Sequence, residues 1–166
     1  MSLQDFNINR HLPGALREVD AGPELTGGER APEALDALDA LMLRLTGVRR
    51  LREHHVWEAV RVIADLPDLT AGEWPSRRFR ELMAADALVD AVIHLTSATE
   101  AKLCLRTLSH EFGLWTCALR YQPTGAGRIT FKARHADLAA AILGAFLRSC
   151  RGHQLAAAAG RGQLPT

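Results

Sequence analysis

Apolar residues recur at three- and four-residue steps through Leu35, Leu38, Leu41, Met42 and Leu45, with Pro32 near the start and Gly47 just past the last of them. That spacing lines one stripe of a helix, and proline in the first turn with glycine beyond the end matches how helices begin and stop. A second stripe, Leu51, Val56, Ala59, Val60 and Ile63, predicts a helix over about residues 50–66, which Pro67 ends because its ring cannot continue the ladder. The two are expected to pair as a hairpin. After the polar stretch DLPDLTAGEWPS, Pro75 or Ser76 opens a third helical pattern containing Phe79, Leu82, Met83, Val89, Val92 and Ile93. The β-branched content of residues 89–95 leaves a strand there as the alternative.

Ser97 and Glu100 stand three residues apart, the spacing of a capping box, and predict a helix over about residues 98–112. Its apolar stripe is Ala101, Cys104, Leu105, Leu108 and Phe112, and Gly113 suits its C-terminal end. The period then changes. Trp115, Cys117, Leu119 and Tyr121 alternate with polar or small residues, as do Ile129, Phe131 and Ala133, so two strands joined through PTGAG form a hairpin. A two-stranded ribbon is marginal in water. The last helical pattern, from about Ala136 to Cys150 with Leu138, Ile142, Leu143, Phe146 and Leu147 apolar, is its expected cover.

The fold class that follows is α+β, mostly helical, with a C-terminal β-hairpin packed by helices. The order helix, tight turn, helix, hairpin, helix over about residues 76–150 resembles a winged helix, the layout of many small bacterial transcription regulators. That resemblance implies that the helix of residues 98–112 is the recognition helix and the loop from Pro123 to Gly127 the tip of the wing. If residues 89–95 are a strand, the order becomes an incomplete ferredoxin-like module lacking its last strand, with an open edge for a partner chain. Residues 1–31, Gly- and Pro-rich at DAGPELTGGERAP, are expected to be a flexible lead-in. A single globular domain then spans 32–151, and 152–166 form a tail that extends the last helix by a turn or two.

Composition narrows the class. The chain has 166 residues, 48% hydrophobic and 23% charged, the balance of an ordinary globular domain long enough to bury a core. Its three cysteines, Cys104, Cys117 and Cys150, contain no CxxC pair, so neither a disulfide framework nor a zinc site is expected. No apolar run suggests a signal peptide or membrane span, and a cytoplasmic protein is expected.

Net charge is +1, but residues 1–100 hold 11 Lys+Arg against 17 Asp+Glu, whereas residues 101–166 hold 9 against 2. A basic final third suggests contact with a polyanion, or with the acidic part of the same chain or of a second copy. Lys102, Arg106 and Ser109, with His110, fall opposite the apolar stripe of the predicted helix, where side chains could enter a major groove. Arg120, Arg128, Lys132 and Arg134 form the outward row of the hairpin with Gln122 and Thr130. The expected function is therefore regulatory nucleic-acid binding, to DNA or another polyanion, by a homodimer joined through the Leu-rich helices; a protein- or ligand-binding module is the alternative.

Catalytic chemistry is less well served. Adjacent His54 and His55 point about 100° apart on a helix and cannot grip one ion from a single face. Arg49 and Arg50 each precede a histidine by five positions, which resembles a short Arg–His motif of some all-helical ribonuclease domains and implies, at most, a nuclease using Arg49 and His54. Cys104 and Cys117 are expected to be buried and inert. The TGAGR loop joins two strands, whereas phosphate loops lead into a helix. No catalytic residue, metal or cofactor is expected.

Overall fold

The computed structural model describes residues 30–66, 75–97, 103–121 and 127–161. The lead-in ahead of residue 30, Glu100 of the proposed capping box, Lys102, Gln122 and the wing tip from Pro123 to Ala126 lie outside the described residues. Those described form an α+β fold of five helices and a three-stranded antiparallel sheet: α1 Arg30–Gly47, α2 Glu53–Ala64, α3 Arg77–Ala84, α4 Leu88–Ser97, β1 Leu103–Glu111, β2 Leu114–Tyr121, β3 Ile129–His135 and α5 Leu138–Arg161. The strands lie in the order β1-β2-β3.

Helices α1 and α2 follow the apolar periodicity, and the leucines of the α1 stripe, Leu38, Leu41 and Leu45, are buried in the core with Leu51 of the connecting turn, while Leu43 is exposed. A dimer through those residues is not open to this fold. The third pattern divides into two helices. Ser76 caps α3 by accepting from the Phe79 amide at 3.2 Å, and Asp86, at φ 54°, closes it. The amides of Asp86 and Ala87 return to the carbonyls of Met83 and Leu82, a Schellman arrangement in which Asp stands where glycine is usual. Residues 88–95 are helix, so the ferredoxin-like alternative does not hold.

The expected helix over residues 98–112 is corrected: from Leu103 onward the chain is strand β1, paired antiparallel with β2. The register slips between Leu105 and Thr107, leaving Arg106 as the extra residue of a bulge. One inserted residue changes the spacing of inward positions from two to three, so Leu105 and Leu108 fall at a helical interval while belonging to a strand. The join to β2 is the two-residue turn Phe112–Gly113, both at positive φ, the sign of a type I′ hairpin turn. Gly113 therefore closes a hairpin instead of a helix. Without a helix at 98–112 there is no recognition helix, and the winged-helix order does not hold either.

Helix α5 begins at Asp137, whose carboxylate accepts from the Ala140 amide at 2.9 Å. It continues to Arg161, well beyond the expected turn or two. Between Ala139 and Cys150 nearly every side chain is buried, including Ile142, Leu143, Phe146 and Leu147. A helix apolar on all sides is one enclosed by other layers. Strands β2 and β3 cover one side and α1 and α4 the other. The helix-to-sheet contact depends on missing side chains: a Cβ on Gly144 would approach Ala133 at 3.2 Å, and one on Gly152 would lie 2.7 Å from the Phe131 ring.

Gly152→Ala is thus a test of that contact. Alanine in a helix interior gains about 0.5–1 kcal/mol over glycine, but overpacking costs about 1–3 kcal/mol. A net loss of about 1 kcal/mol is expected in urea unfolding; a more stable variant would mean that the Phe131 ring yields freely.

Candidate nucleic-acid interface

Residues directly opposite one another in an antiparallel sheet share a face, so the register sorts the side chains. On the α5 side lie Trp115, Cys117 and Leu119 with Phe131 and Ala133, and Leu105 and Leu108 of β1. The other face carries rows set across the strands. Ser109, Thr116 and Arg134 form one row, Thr107, Ala118 and Lys132 the next, and Cys104, Arg120 and Thr130 the third. Lys132, Arg134, Thr130 and Thr107 are exposed, and Arg120, Ser109 and Thr116 are half-buried.

The sheet therefore brings Ser109, Arg120, Lys132 and Arg134 to one open face, though Ser109 arrives from a strand instead of a helix. Arg106 is exposed at the bulge, and Arg128 is exposed one residue before β3. Thr107 and Thr116 belong to the same face; with 98–112 read as a helix, their place in the rows could not be seen. Ala118 is buried although it lies on this face, between Thr107 and Lys132.

Strand rise is about 3.3 Å per residue, so Thr130 to Arg134 spans about 13 Å, with Arg120 roughly 4.8 Å to the side of Thr130. One strand of B-DNA advances by one phosphate per 3.4 Å or so of helix axis, about four over that length for a β-strand lying along the axis. Among the described residues the three cations have no carboxylate partner: the ion pairs there include Arg44–Glu58, Arg77 and Arg78 with Glu81, and Arg151–Asp39, and none involves this face. Of these pairs, only the last joins the basic third to the acidic part, with Arg151 Nε and Nη2 donating to the two Asp39 oxygens at 2.5 and 2.9 Å. Arg148 donates to the Lys132 carbonyl. The Nε–H of Arg120 is shielded from solvent and has no hydrogen-bond partner among the described residues.

Cysteine placement is split. Cys117 and Cys150 are buried, and burial pushes their thiols up to about 11 and about 12, which keeps them protonated and inert. Cys104 is exposed on the open face, contrary to expectation, its thiol 3.7 Å from the Arg120 carbonyl. The bulge puts it out of phase with Leu108.

Three of the described histidines make hydrogen bonds that hold elements in place. His135 Nδ1 accepts from the Asp137 amide at 2.9 Å, which leaves Nε2 to donate to the Val48 carbonyl at 2.8 Å and ties β3 to the α1–α2 turn. His94 Nε2 lies 2.8 Å from Ser76 Oγ, a pairing the sequence did not suggest. That hydroxyl already caps α3, and the pair joins α3 to α4. His54 is exposed, while His55 Nδ1 accepts from the Arg52 amide at 3.0 Å. The all-helical frame of the Arg–His resemblance is absent, since the chain carries a sheet. Among the described residues no three His, Cys, Asp or Glu side chains converge as a metal site. No helix among them is long and apolar enough to cross a membrane.

His153 sits against Tyr121, ring centres 4.1 Å apart, and burial lowers its pKa below the usual 6.5. Burial also lowers His55, aided by neighbouring His54. A histidine with a lowered folded pKa binds fewer protons in the folded state. Stability is accordingly complete above about pH 6.5 and falls as pH drops through that value toward the folded pKa. Urea unfolding at about pH 7.5 and about pH 5.5 should show the loss, and His153→Phe should reduce it. An unchanged pH dependence in that variant would remove His153 as a source.

The fold and this surface define a class, an α+β protein with one helix-packed and one open, basic sheet face. Comparison of the chain with protein-family models, curated proteins and solved structures finds no match.

Proposed function

We propose that this protein binds nucleic acid through the open face of its sheet, with Arg120, Lys132 and Arg134 meeting phosphates and Ser109, Thr107, Thr116 and Thr130 supplying hydroxyl contacts. The observation that carries the reading is the gathering on one face of three cations that have no carboxylate partner among the described residues. Sheets are known to dock in DNA grooves, and phosphate contact fixes position without naming a sequence. Arg106 and Arg128 flank the face and extend its positive field; a regulatory role belongs to the same proposal.

The direct test is affinity for duplex DNA against salt. Each neutralised phosphate steepens the log–log slope by about 0.9, so the three cations alone predict a slope near roughly −2.7. No binding to duplex or single-stranded DNA, or binding indifferent to salt, would refute the proposal.

A second reading has one observation behind it. Helix α5 packs chiefly on β2 and β3, and on β1 Leu105 and Leu108 remain 47% and 40% exposed on the helix side. A protein partner or second copy covering β1 would bury them, although the charged bulge at Arg106 disfavours simple edge-to-edge pairing. Sedimentation of the wild type and of Leu108→Asp separates the cases: the same monomer mass for both would argue against self-association.

A further inference from the structure

Phe112 is the most exposed large apolar residue described, at 97%, and it occupies a backbone conformation that phenylalanine rarely adopts, φ 51°. The first central position of a type I′ turn is normally Asn, Asp or Gly, because a Cβ at positive φ crowds the backbone. Here the chain places a bulky aromatic at that position and packs it against almost nothing. A bound partner that covers the ring would offset this cost to the free fold.

The surroundings indicate which partner. The turn stands beyond the Glu111–Leu114 pair, at the end of the sheet where Arg134, Thr116 and Ser109 form the nearest row of the open face. Arg134 lies about 7 Å from the end of the sheet by strand rise. Glu111 shares that face and repels phosphate near the tip. A strand whose phosphates lie along Lys132 and Arg134 is thus favoured to present a base, not a phosphate, at the turn. The open face has no aromatic residue of its own among its described rows, so Phe112 is where stacking can occur.

We infer that Phe112 is a base-stacking residue and that the preferred ligand is single-stranded nucleic acid, its backbone on the basic face and one base on the Phe112 ring. The inference rests on the nucleic-acid reading above and adds to it the ligand class and the residue that reads it. Aromatic stacking tolerates any base, so it favours single strands without selecting a sequence.

The experiment measures binding of a labelled short oligothymidylate and of the same strand made abasic, by fluorescence anisotropy, for wild type, Phe112→Asn and Phe112→Trp. The wild type should bind the base-bearing strand about tenfold more tightly, the scale of one stacked base. Phe112→Asn should bind both strands equally and melt about 2–4 °C higher, since Asn tolerates the turn conformation. Phe112→Trp should keep the preference for bases. Equal binding of the two strands by the wild type, or an undiminished preference in Phe112→Asn, overturns the stacking role while leaving phosphate binding intact. Failure of the wild type to bind either strand overturns both readings.

Discussion

Phe146→Ala should destabilise the protein by about 3–5 kcal/mol, the cost of removing a fully enclosed phenylalanine and leaving a cavity. Phe146 is completely buried in the middle of α5, with β2 and β3 packed on one side of that helix and α1 and α4 on the other. A domain of this size is stable by only about 5–15 kcal/mol, so this one change removes a large share. The measurement is urea unfolding, with a lower midpoint at unchanged slope. Leu43→Ala is the companion: Leu43 is exposed on α1, and its loss should stay within about 0.5 kcal/mol. If both changes cost the same small amount, α5 is not the middle layer of this fold.

Removing the charges of the open face should abolish most of the salt dependence of duplex DNA binding while leaving the fold in place. The triple variant Arg120→Ala, Lys132→Ala, Arg134→Ala loses three phosphate contacts, and its log–log salt slope should be shallower by about 2.7. Over a fourfold rise in salt, the wild type should lose about fortyfold more affinity than the variant. Lys132 and Arg134 are exposed, so changing them has little effect on stability. Arg120 is half-buried, and its aliphatic stem packs as well as carries charge. The double change at Lys132 and Arg134 is therefore the cleaner control, with a slope shallower by about 1.8. Wild-type binding retained by both variants would move the interface elsewhere on the molecule.

Much of the framework was legible in local pattern. The stripes of α1, α2 and α5, the opening of a third helical pattern at Pro75 or Ser76, and the alternation of β2 and β3 each follow from nearest-neighbour spacing, which helix and strand geometry fix without long-range information. Arg120, Lys132 and Arg134 could be placed on one side of a hairpin for the same reason. Strand β1 was not legible. Its bulge at Arg106 inserts one residue between Leu105 and Leu108 and gives a strand the spacing of a helix, and Ser97 before Glu100 reinforces the misreading. The bulge arises only in pairing with β2, a contact that local spacing does not encode.

The amino-acid sequence by itself determined which segments could be amphipathic, where α3 could start, and that cations would be concentrated in the last third, because these depend on residue identity and short-range spacing. Tertiary structure decided that residues 103–111 are strand, that α5 packs chiefly on β2 and β3, and that Arg120, Lys132 and Arg134 share a sheet face on which they have no carboxylate partner among the described residues. Those outcomes depend on register and layer packing, and the burial they bring outweighs local helix propensity.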